Sequence, residues 1–125
     1  MEAVKTIKQT SPILTTTDAT VTTLLEIVIP NESQMQFSMG YEALKSDRSK
    51  WYSAEVGVRF VCDGSGVVTQ PEVPTYKFRK RSASDMINPS FNVATVNKII
   101  VQVTGIGATN IRHRCVVLKS KVRIL

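Results

Sequence analysis

The chain has 125 residues, of which 42% are hydrophobic and 21% charged, and it carries a formal net charge of +6. That length suits one domain burying roughly two thirds of its unfolded surface, and the composition excludes a disordered tail. No apolar run reaches the ~18 to 20 residues of a membrane-spanning helix, and "MEAVKTIKQT" has no apolar signal-peptide core, so folding in a cytoplasm without membrane attachment is expected.

Residues 1–17 contain the β-prone pieces "VKTIK" and "PILTTT", but the break at Ser11-Pro12 prevents one continuous strand. They are predicted to form an extended arm ahead of a domain spanning 18–125. From Val21 the residues alternate, with Val21, Thr23, Leu25, Ile27 and Ile29 on one face and Thr22, Leu24, Glu26 and Val28 on the other. Pro30 closes this strand, because proline cannot donate to a ladder. "SQMQFSMGYEAL" sets Met35, Phe37, Met39, Tyr41 and Ala43 on one face. "WYSAEVGVRFVC" does the same with Ala54, Val56, Val58, Phe60 and Cys62, and "DGSG" then turns the chain.

"PTYKFRKR" opposes Tyr76 and Phe78 to Lys77 and Arg79, and Pro71 and Pro74 mark it as an edge strand or late-joining loop. "FNVATV" and "KIIVQVTG" follow, the latter setting Ile99, Val101 and Val103 against Ile100, Gln102 and Thr104. "GIGATN" turns again. The last run, "IRHRCVVLKSKVRIL", places Ile111, His113, Cys115 and Val117 against Arg112 and Arg114, and its apolar triplet predicts a bulge near Val117. About eight strands at this spacing predict an all-β, single-domain antiparallel β-sandwich, jelly-roll-like, with no helix beyond a short turn.

Catalytic chemistry finds little footing. His113 is the only histidine, so neither a nucleophile–histidine arrangement nor a His/Cys metal site has its parts. Asp18, Asp47, Asp63 and Asp85 sit in turn contexts where a carboxylate ordinarily caps backbone amides. Cys62 and Cys115 lie inside apolar runs without ligand spacing and read as buried free thiols. No enzyme activity, cofactor or metal is expected. The cluster Lys77, Arg79, Lys80 and Arg81, like Arg112, Arg114, Lys119, Lys121 and Arg123, reads first as a solvated or subunit-facing basic face and second as a site for an acidic protein surface; nucleic acid is disfavoured, because no stacking or helix-turn-helix signature accompanies the charge. Trp51 and Tyr52 form an aromatic pair beside a polar loop, which reads either as rim packing or as a sugar-stacking platform.

The order "TTTDATVTTLLEIVIP", "SAEVGVRFVCDGSGVV", "NKIIVQVTGIGATNIRHRCVVLKSKV" resembles a group of small virion proteins of tailed bacteriophages, over roughly residues 15 to 122. The chain departs from the group's commonest pattern in having His113 where an aromatic often sits and in being strongly basic. The resemblance implies a β-sandwich structural module, free-standing or at the end of a tail fibre. Because the chain is barely longer than the module, a capsid decoration (cement) protein is the first expectation. It would bind the major capsid protein on the outer surface of the virion and self-associate, with a trimer as the family-level state. A tail or tail-fibre component recognising host-surface glycan is the alternative. Expected partner contacts are Val4, Ile7, Ile13 and Leu14 in the arm and Lys77, Arg79, Lys80 and Arg81 in the basic strand.

Overall fold

The computed structural model describes residues 9–125, apart from the side chain of Lys119. Ten strands are described: β1 (Gln9–Thr10), β2 (Leu14–Thr16), β3 (Val21–Val28), β4 (Ser33–Lys45), β5 (Trp51–Cys62), β6 (Val68–Thr69), β7 (Thr75–Arg81), β8 (Ser90–Asn92), β9 (Lys98–Thr104) and β10 (Ile111–Ile124). They form a β-sandwich, as expected. The excess over eight comes from two- and three-residue strands at the sheet margins, too short to leave a periodic signal. A large sheet runs β1-β10-β4-β5-β6, with β2 also on β10 and β7 also on β5, and it faces a small sheet β3-β9-β8. All the pairings are antiparallel.

The long strands form where alternation is cleanest. In β4 and β5, Met35, Phe37, Met39, Tyr41, Ala43, Ala54, Val56, Val58, Phe60 and Cys62 are all buried. Their neighbours in sequence face outward, as a two-residue period requires. Ile99, Val101 and Val103 meet them from β9. Phe91 of β8 crosses between the sheets, its ring 6.2 Å from Phe37 and 5.6 Å from Phe60 in edge-on contact, the arrangement aromatic quadrupoles favour. In β3 the expected alternation fails. The register shifts between Thr23 and Leu25, both Leu24 and Leu25 are buried, and Val21 is exposed. A bulge lets adjacent leucines share one face, at the cost of turning the first half of the strand around.

Two arches hold the sheets together from opposite ends. One carries β3 into β4 and the other carries β9 into β10, while β3 pairs with β9 and β4 with β10. At the first end Asn97, in a left-handed conformation with φ 58°, donates its side-chain amide to Ile29 O at 2.9 Å and Asn31 Oδ1 at 2.7 Å. Its backbone N–H donates to Gly66 O and its carbonyl accepts from Ile29. Asparagine tolerates that backbone region because its short side chain can bond locally.

Residues 9–16 lie along the chain's own large sheet. Gln9 and Thr10 pair with Val117 and Val116, and Leu14 to Thr16 pair with His113 to Ile111. Pro12 interrupts the ladder where the sequence predicts a break. Ser11 bridges the gap, donating its N–H to Cys115 O at 2.8 Å and accepting the Cys115 N–H on its hydroxyl at 2.9 Å. Gln9 also reaches the small sheet, donating from Nε2 to Glu26 O at 3.4 Å.

Candidate docking face

Residues paired across antiparallel strands share a face, so the registers give the outer surface of the large sheet row by row. Arg112, Leu44 and Trp51 form one row; Arg114, Glu42, Ser53 and Lys80 the next; then Val116, Gly40, Glu55 and Lys77; then, further along, Lys121, Gln36 and Arg59. Lys77 and Lys121 line a polar groove together with Gln36, Ser38, Glu55 and Gly57. Glu42 pairs with Arg114 at 3.5 Å, and Glu72 pairs with Arg59. Lys77, Lys80, Arg112 and Lys121 make no ion pair among the described residues. This face is net positive and contains few large apolar side chains. Its exposed ion pairs add little to folding.

The basic strand divides between two faces. Lys77 and Lys80 lie opposite Glu55 and Ser53 and join the outer face. Arg79 and Arg81 turn the other way: Arg79 stacks over the Tyr76 ring at 5.8 Å and donates to Asn88 Oδ1 at 3.5 Å. Arg81 donates to Met86 O at 3.4 Å. These arginines tie down the connection before β8. The split arises at a bulge, where the register shifts between Ser53 and Glu55 and Phe78 takes φ 54°. Phe78 is therefore 81% exposed, where simple alternation turns it inward beside Tyr76. A non-glycine residue in this backbone region costs about 1–3 kcal/mol, and the sequence carries no glycine or asparagine to announce it.

The apolar arm contacts separate. Leu14 packs against the core, whereas Ile13 is exposed and lines a small hollow with Leu44, Glu42 and Arg112 at the β2 edge. Val4 and Ile7 lie outside the described residues. The aromatic pair also separates. Trp51 is 41% exposed beside Leu44, but Tyr52 is buried and donates its hydroxyl to Asn88. Burial pushes the Tyr52 phenol up to about 12. Of this pair Trp51 alone is presented to solvent, so the two rings do not form a stacking platform.

His113 is buried, with Thr16 Oγ1 2.8 Å from its Nε2 and the Tyr41 hydroxyl 2.7 Å from its Nδ1. Burial pulls its pKa down from 6.5 to about 4, so near neutral pH it is an uncharged imidazole with both nitrogens engaged. The threonine-rich lead-in thus supplies a hydroxyl to the core. Gly105 packs so tightly there that a Cβ on it would lie 2.3 Å from Thr16 Oγ1 and 2.5 Å from Asp18 O. Among the described residues no three His, Cys, Asp or Glu side chains gather as a metal site.

No family model matches the sequence, and no curated protein matches it. Among solved structures, the tailspike protein of Acinetobacter baumannii phage AM24 is similar at a TM-score of 0.49 and 10% identity. The match covers 96% of this chain and 26% of that one, so this chain spans only a small part of the tailspike's length.

Proposed function

We propose that the chain is a structural component of a tailed-phage virion, and most specifically a capsid decoration protein that docks on the outside of the head and clamps neighbouring major capsid subunits. The observation that carries this reading is the basic outer face of the large sheet, built from Lys77, Lys80, Arg112, Arg114 and Lys121. Docking requires a rigid face with a charge sign opposite to the partner, and three long hydrogen-bonded strands, β10, β4 and β5, hold these side chains in fixed rows. The quoted sequence segments support the virion setting, through their resemblance to small phage structural proteins.

The test is co-sedimentation of the recombinant protein with particles of its source phage made without it, followed by immunogold counts on heads and tails. Label spread over heads and about a 10-fold or greater loss of binding in the double variant Arg114→Glu, Lys121→Glu are expected, with wild-type binding weakening as salt rises. Label confined to tails would move the assignment to a tail component. A specific observation keeps that second reading in play: Trp51 is exposed beside Arg112 and Leu44 at one end of the sheet. It predicts glycan-array signal that Trp51→Ala abolishes.

A further inference from the structure

Phe78 combines exposure with a strained backbone. The residue is 81% exposed, its backbone occupies the left-handed region at φ 54°, and it stands in a strand whose neighbouring aromatic, Tyr76, packs against the core. Glycine takes this conformation without steric cost, whereas a bulky side chain does so only when its surroundings impose it. The surroundings here are the pairing of Lys77 with Glu55 on one side of the bulge and Lys80 with Ser53 on the other. The result holds a single aromatic ring in solvent at a fixed place. No core packing returns the strain. Strain kept in this way concentrates at binding sites.

Two cations lie on either side of Phe78 along β7. Lys77 and Lys80 face the outer side of the sheet without an ion pair among the described residues, while Arg79 and Arg81 are held back by Tyr76, Asn88 and Met86. We infer that Phe78 is the anchor of a docking site for an acidic protein surface, its ring entering an apolar socket while Lys77 and Lys80 meet carboxylates on the socket's rim. Buried aromatic anchors ringed by polar contacts carry most of the binding energy in protein interfaces. A ring fixed by its backbone suits a shaped socket rather than a fluid bilayer. This inference rests on the virion-docking reading and names its central contact.

The experiment compares wild type, Phe78→Ala, Phe78→Gly and the double variant Arg114→Glu, Lys121→Glu in co-sedimentation with source-phage particles made without the protein, alongside flotation with phosphatidylglycerol vesicles. Both Phe78 variants are expected to lose binding to particles by about 10-fold or more. Phe78→Gly is expected to raise the melting temperature while it loses binding, a combination that a structural role for the ring does not produce. Wild-type affinity in both Phe78 variants, with loss in the charge-reversed variant, would overturn the anchor and leave the docking face standing. A failure of wild type to sediment with particles would overturn both. Phe78-dependent binding to vesicles with Phe78-independent binding to particles would overturn the protein socket in favour of a membrane.

Discussion

His113 bonds through both ring nitrogens to hydroxyls, Thr16 from the lead-in and Tyr41 from β4. In the folded chain it stays neutral down to about pH 4, whereas the unfolded chain takes up its proton near 6.5. The unfolded state therefore binds more protons between these values, and stability from this residue is present above pH 6.5 and lost as pH falls toward 4, by at most about 3 kcal/mol. The urea midpoint is expected to drop between pH 7 and pH 4.5, and His113→Gln should flatten that slope. A slope that survives the substitution would assign it to other groups. The two glycines of "GIGATN" make a paired expectation. Gly105→Ala forces a methyl against Thr16 and the Asp18 carbonyl and should cost about 1–3 kcal/mol, whereas Gly107→Ala meets nothing within 4 Å and should leave the melting temperature nearly unchanged. Local chemistry of this kind was legible where the partner is near in sequence. Asp18, Asp47 and Asp63 accept backbone N–H groups from Thr20, Ser49 and Ser65, as turn carboxylates do. The Thr16–His113 bond was not legible, because 97 residues separate its ends and only tertiary pairing brings them together.

At the level of elements, β10 depends on a seam that a proline breaks and a serine closes. Ser11→Ala removes the acceptor for the buried Cys115 N–H and should destabilise by about 1–3 kcal/mol, the cost of an unsatisfied buried donor. Amide exchange at Cys115 should accelerate more than at Phe60 in the sheet interior; equal protection would show that the seam contributes nothing. Bulges mark where alternation reads well and where it does not. The bulge in β10, between Val117 and Lys119, is visible in the triplet Val116, Val117, Leu118, which cannot alternate. The adjacent Leu24 and Leu25 carry the same signal in β3, yet a continuous period counted from Val21 passes over it. In β7 the order Tyr76, Lys77, Phe78, Arg79 alternates perfectly and the chain bulges regardless, because what sits opposite each residue on β5 overrides the local pattern.

For the whole molecule, the sandwich was readable because its core strands alternate over long runs, and the basic outer face was only half readable. Composition gives the sign of the surface and periodicity gives which residues face outward, but register alone places Lys121 in a groove with Lys77, whose positions lie far apart in the chain. Cys62 and Cys115 are both buried free thiols, and burial raises the pKa of each. Cooperative unfolding should therefore govern their reactivity. Labelling with an aromatic disulfide reagent is expected to be slow in native buffer, to follow the global unfolding transition in urea, and to react at both positions together. Early modification of one cysteine would reveal local opening of its end of the sandwich.

The break in β7 also bears on what identical copies do to one another. A sheet margin offering an unbroken row of free amides and carbonyls is a template on which the next molecule can zip. With Phe78 turned out of line and lysines on either side of it, the β7 margin presents a kinked and charged profile that two copies cannot match edge to edge. Replacing Phe78 with glycine would keep the kink accessible, whereas straightening the strand by deleting one residue of the bulge would restore a continuous margin and favour fibres.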